Sequence, residues 1–294
     1  MRKRLAFSAV MLLAFSTAVF GQSFVVNYLD GTVELKSASG WTEISIGKQL
    51  AIESTIRISD SGSVELQRGK SRITILKDGT YALKDLASAS EKAGAAGFGS
   101  NIAQKLQTLA SGKQAGTTVG GVRAAEQGSG GSVMWVEESE ETRGKVADLL
   151  SGKNYEEAAK VLTQAIAESS SPADNLEYTY LLASAYYGNG QAVKAYRALA
   201  SISPNQEVGW YPRYLVLKAQ VLLDSLAYDD ALKLLAPYIK DHPEGEATQV
   251  AYLLSYYCKK GLGDGTAKTD LQNGLKIDPN SETGAQIQQV LNAP

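Results

Sequence analysis

Ala227-Tyr-Asp-Asp-Ala-Leu-Lys-Leu-Leu235 is the stretch on which the fold turns, because altered copies of it recur along the chain. Upstream stand Asn154-Tyr-Glu-Glu-Ala-Ala-Lys-Val-Leu162 and Gly190-Gln-Ala-Val-Lys-Ala-Tyr-Arg-Ala-Leu199, and downstream Asp264-Gly-Thr-Ala-Lys-Thr-Asp-Leu271. Ala158, Ala195, Ala231 and Ala267 mark the register, at intervals of 37, 36 and 36 residues. Each copy follows an apolar stretch with helical spacing. The last three are followed by Pro204, Pro243 and Pro279, and the first ends at Ser169-Ser-Ser-Pro172. Self-similarity at this period is the signature of stacked helix pairs. Each pair leaves an apolar face open and the next pair covers it. Alanine at the recurring position lets two helices approach closely. Proline stops the second helix, since it cannot continue the hydrogen-bond ladder. Region 133–294 therefore reads as an all-α solenoid of about four helix pairs, with 281–292 as a capping helix. Pro237 falls inside the second helix of the third copy and is expected to shorten or kink it.

Upstream the texture changes. Residues 22–86 read as a small all-β domain with an antiparallel sheet. Phe24-Val-Val-Asn-Tyr28, Thr32-Val-Glu-Leu-Lys36, Trp41-Thr-Glu-Ile-Ser-Ile46, Thr55-Ile-Arg-Ile58, Ser63-Val-Glu-Leu-Gln67 and Arg72-Ile-Thr-Ile-Leu76 are short strand-like runs. Turn signals separate them at Asp30-Gly31, Ser39-Gly40, Asp60-Ser-Gly62, Arg68-Gly-Lys70 and Lys77-Asp-Gly-Thr80. Between the two regions, 87–132 contains 26 Ala, Gly or Ser among 46 residues, too few large apolar side chains for a core, so it reads as a linker. Within it, Thr117-Thr-Val-Gly-Gly-Val-Arg-Ala124 has the composition of a strand that returns to the β domain.

The first residues read as an address. Arg2, Lys3 and Arg4 precede sixteen uncharged residues, Leu5 to Phe20, and then Val19 and Gly21 occupy the −3 and −1 positions of a cleavage site. This is the order of a secretory signal peptide over 1–21, with cleavage before Gln22 and a periplasmic or secreted location for the mature chain. The alternative is an N-terminal membrane anchor, for which sixteen residues fall short of the ~20 that span a bilayer. No other run approaches that length, so no transmembrane segment is expected in the mature chain.

Composition narrows the chemistry. Cleavage would leave 26 basic against 31 acidic residues, a net charge of −5, which gives no electrostatic reason to hold a phosphate backbone, so nucleic acid is not an expected partner. One Cys and one His cannot build a Cys/His zinc site or an intramolecular disulfide. No metal site, cofactor or catalytic set is expected. Cys258, after Leu-Leu-Ser-Tyr-Tyr, reads as a buried helix position. Glu137, Glu138, Glu140 and Glu141 read as charges at the positive start of the first repeat helix, with Ser139 as its cap.

Two resemblances follow from these motifs. The C-terminal region resembles the tetratricopeptide repeat (TPR) family through Ala183, Tyr186, Gly190, Ala195 and Pro204, then Ala219, Tyr228, Ala231, Leu235 and Pro243, then Ala267, Leu271 and Pro279. It departs in its longer period and in Lys218, where the family usually carries leucine. The N-terminal region resembles the FecR-type envelope domain through Gly31-Thr-Val-Glu-Leu35, Trp41, Gly47, Leu50, Ile56-Arg57, Ser63-Val-Glu-Leu66, Asp78-Gly-Thr80 and Thr118-Val-Gly-Gly-Val-Arg-Ala124. The family's groove-facing positions, carried onto this chain, fall on Tyr180 and Tyr187, on Arg213, Gln220 and Asp224, and on Tyr252, Tyr256, Lys259 and Lys260. The resemblance implies that these residues bind a partner peptide or helix. The competing reading of the tyrosines is packed core.

The expected protein is a non-enzymatic envelope scaffold or adaptor. Its solenoid groove would hold protein partners and its β domain a second component, such as cell wall. The alternatives are a ligand-sensing regulatory subunit acting through the β domain and a cell-wall enzyme.

Overall fold

A computed structural model describes residues 23–69, 71–93 and 132–293. The chain divides into two compact units, Met1–Lys92 and Ala93–Pro294. The expected signal peptide and the expected returning strand at 117–124 lie outside the described residues.

The first unit is built on two long antiparallel strands, β1 (Ser23–Ser37) and β4 (Thr55–Arg68). Four short strands flank them: β2 (Gly40–Glu43), β3 (Gln49–Ala51), β5 (Ser71–Ile75) and β6 (Gly79–Ala82). One half of β1 pairs with β3 and the other with β2, and β4 is shared in the same way between β5 and β6. The sequence reading breaks each long strand in two, with turns at Asp30-Gly31 and Asp60-Ser-Gly62. The structure corrects this: both sites are irregularities inside continuous strands and they face each other, the register jumping between Asp30↔Ser63 and Thr32↔Ser59. Gly31 has φ +68°, and a Cβ there would lie 2.6 Å from the Gly62 Cα. Two backbones pass too closely for a side chain, which is the work of glycine at a bulge. Asp60 and Ser61 are also left-handed, at φ 60° and 56°. The Asp78 carboxylate anchors them by accepting from the Ser61 and Gly62 amides at 3.2 and 3.1 Å.

Phe24, Val26, Val33, Ile56, Ile58, Val64 and Leu66 from the long strands meet Leu50 and Ile73 in the core. On the flank, Arg57 donates to its cross-strand partner Glu34 at 2.7 Å and lies 4.5 Å over the Trp41 ring. A helix, α1 (Leu83–Ala93), follows β6 and continues past residue 86, where the composition suggests linker. Leu83 and Ala87, one turn apart, are both buried, so alanine here serves as a helix former on a packed face.

In the second unit α2 (Ser132–Ser151) and α3 (Tyr155–Glu168) form the first pair, and α4 (Pro172–Gly188) and α5 (Ala192–Ala200) the next. Then come α6 (Tyr211–Asp224) with α7 (Tyr228–Asp241), α8 (Glu246–Leu262) with α9 (Ala267–Ile277), and α10 (Glu282–Asn292). Every helix packs on its sequence neighbour. The first helices of successive pairs also touch one another, and α10 touches α8, so these helices form one layer of the stack. The recurring alanines sit at the pair contacts: Ala158, Ala195 and Ala231 are fully buried and Ala267 is 6% exposed.

Two expectations need correction here. Helix α7 runs unbroken through Pro237 to Asp241, so the proline does not shorten it. The acidic run does not open the first helix, because α2 begins at Ser132 and Ser139 lies one to two turns inside it. Ser139 instead accepts from Arg143 at 3.0 Å, and the same guanidinium binds Asp174 at 2.5 Å and Glu177 at 3.0 Å on α4. Lys218 fits a leucine position by extending along the stem, its Nζ donating to the Tyr214 hydroxyl at 2.8 Å.

Candidate partner-binding surface

The residues carried over from the repeat pattern separate into packed and open groups. Tyr180 is 2% exposed, and its ring stacks on Trp210 at 5.3 Å with 9° between the planes. Burial pushes its phenol up to about 12. Tyr256 is 7% exposed and packs edge-on against Tyr257 at 4.8 Å. Gln220 is completely buried. These three are packing residues, although the family pattern places them in the groove. Arg213, Tyr187, Tyr252 and Lys259 are half-buried, and Lys260 is exposed. Lys259 is committed to Asp270 of α9 at 2.8 Å. Lys260 extends over the Tyr256 ring at 5.8 Å.

A polar cluster joins α4 to α6. The Tyr187 hydroxyl donates to one oxygen of Asp224 at 2.5 Å, and the Gln220 amide donates to the other at 2.9 Å. Burial raises the Asp224 carboxyl from its ordinary value to about 6, against the lowering effect of both hydrogen bonds. Burial, and then the Asp224 charge, hold the Tyr187 phenol well above its usual range. Two further groups feel the Asp224 charge. The Tyr228 hydroxyl, on the first residue of α7, is pushed up to about 12 chiefly by burial. The thiol of Cys258 on α8 is fully buried and likewise raised to about 12, with the charges of Asp224, Asp229 and Asp270 adding to the effect.

Tyr252 belongs to a different place. It lines an open cleft of about 830 Å³ between the start of α8, the end of α9 and the start of α10. Gln249 forms the floor, donating to the Asp278 carbonyl at 2.6 Å and accepting from the Ser281 hydroxyl at 2.6 Å. Glu244, Glu246 and Lys276 stand at its rim.

The structure thus brings Tyr187, Gln220 and Asp224 together and leaves Tyr252 apart. Tyr228 and Trp210 are not among the groove-facing positions, yet Trp210 stacks on Tyr180 and Tyr228 feels the Asp224 charge. For Tyr228 the signal was the spacing: Tyr155 and Tyr228 each stand 33 residues before a glycine, Gly188 and Gly261. A Cβ on either glycine would lie 2.6 or 2.5 Å from the tyrosine ring concerned. Among the described residues, no three His, Cys, Asp or Glu side chains converge as metal ligands, and no helix is long and apolar enough to cross a membrane.

Residues 149–221 match the tetratricopeptide repeat family model. The matched span runs from the end of α2 to the last turn of α6, so it holds the α4–α6 seam and both Tyr187 and Gln220. No curated protein and no solved structure gives a significant match. Stacked repeats of this kind are an architecture for protein interaction, and protein partners follow from it.

Proposed function

We propose that this chain is a non-enzymatic scaffold or adaptor of a bacterial envelope, exported through residues 1–21, that binds segments of partner proteins along its helical repeats. One observation carries the reading. The layer of first helices leaves Lys260 exposed and Tyr187, Arg213, Asp224 and Tyr252 partly accessible on a repeat stack. Such a surface offers rings with few rotors beside charged groups, a combination suited to partner contact. The β unit, through its FecR-like motifs, would dock a second envelope component.

The test is site-specific photocrosslinking of the full chain in its native cells. A crosslinker at Arg213 or Tyr252 should capture a defined protein partner. The same group at Lys160 or Lys233, exposed on second helices, should not. Equal capture from both sets of positions would refute a dedicated binding face. Export is checked separately: N-terminal sequencing of the native protein should begin at Gln22, and an intact Met1 would restore the anchor reading.

A further inference from the structure

The cluster around Asp224 has more acceptors than donors. Tyr187 and Gln220 each give one hydrogen to the carboxylate, one per oxygen. A carboxylate offers about four lone-pair positions, so about half remain unfilled. The Gln220 Oε1 is buried with no hydrogen-bond partner, on a residue with no exposed surface. The Tyr228 hydroxyl is buried and unpartnered as well. Buried acceptors of this kind are costly to leave unpaired.

The electrostatics have one sign. Among the described residues no cation contributes to the state of Asp224; burial and its two hydrogen bonds account for it. Beyond burial, the charges that act on the Cys258 thiol on α8 are those of Asp224, Asp229 and Asp270, all of one sign. The cation nearest in sequence register on α8, Lys259, is held by Asp270 at 2.8 Å. Tyr187 and Asp224 each keep partial exposure, so the cluster lies near the surface of the seam.

We infer that the α4–α6 seam is a subsite for one basic side chain, arginine or lysine, of the bound partner segment, with Asp224 and Gln220 Oε1 as its acceptors. This rests on the groove reading given above. A long aliphatic stem suits a half-buried entrance, and a terminal guanidinium or ammonium supplies only donors. Its hydrogen bonds to the carboxylate would be charge-assisted, which makes them the strong kind.

Selection of random twelve-residue peptides displayed on phage, against the immobilised full chain at neutral pH, tests this. Wild type should enrich peptides with arginine or lysine at one fixed position. A selected peptide should bind Asp224→Asn about tenfold or more weakly, and changing its basic residue to norleucine should cost wild type a similar factor. Gln220→Met should weaken binding in the same direction, and thermal melts of both variants should verify that they fold. Selected peptides without a shared basic position, or peptides that bind Asp224→Asn as well as wild type, would overturn the subsite and leave the groove standing. Failure to select any peptide would overturn both.

Discussion

The Asp224 carboxyl keeps its proton up to about pH 6, because burial disfavours the anion more than Tyr187 and Gln220 favour it. An unfolded chain would release that proton near 3.8. Between those values only the folded state holds it, so the contribution to stability is complete below the unfolded value and is lost as pH rises through the folded one. Two units set a ceiling of about 3 kcal/mol. Wild type should therefore lose more stability than Asp224→Asn between about pH 4 and pH 7.5, and the variant should melt higher at the upper end. Thermal melts across that range decide it, and parallel curves would refute the account. Cys258 gives a second test at this scale. A thiol with no exposed surface, raised to about 12, should resist iodoacetamide in the native protein and react only after denaturation. Labelling at native rates would contradict its burial.

Between helices, the repeat uses paired large and small residues. Tyr155 at the start of α3 meets Gly188 on α4, and Tyr228 at the start of α7 meets Gly261 on α8. The equivalent positions in the intervening repeat are Ala192 and Ser225, where both partners are small. The period is therefore preserved without conservation of volume at this contact: two copies pair a ring with a glycine and the copy between them carries two small residues. Gly188→Ser alone should destabilise by about 1–3 kcal/mol through overpacking. The same change in a Tyr155→Ala background should cost clearly less, since the obstructing ring is gone. A double-mutant cycle in urea measures the coupling, and additive effects would disprove the contact.

At the scale of the molecule, the two units are separate bodies of contacts. Fragments 22–93 and 132–294 should each fold alone. The first should give a β-type and the second an α-type far-ultraviolet circular dichroism spectrum, and the unfolding transitions of the fragments should be those of the full chain. A fragment that remains unfolded would mean that the units depend on each other.

The helical unit was legible because its contacts are local. Each helix packs on its neighbours in sequence, so the alanines at intervals of 36 and 37 residues and the prolines at Pro204, Pro243 and Pro279 record the stacking directly. That the first unit is made of antiparallel strands was legible from alternation and turn signals, whereas their pairing was not. Three things were decided only by tertiary structure. Asp30-Gly31 and Asp60-Ser-Gly62 have the composition of turns, yet each is a bulge, because the other lies opposite it across β1 and β4. Tyr180, Gln220 and Tyr256 fall on positions that a repeat pattern opens, yet all three are buried, Tyr180 against the Trp210 ring. Tyr187 and Asp224, 37 residues apart, become one hydrogen-bonded site only when α4 lies against α6. Periodicity fixes which residues share a face. Which face is covered, and by what, depends on contacts between residues distant in the chain.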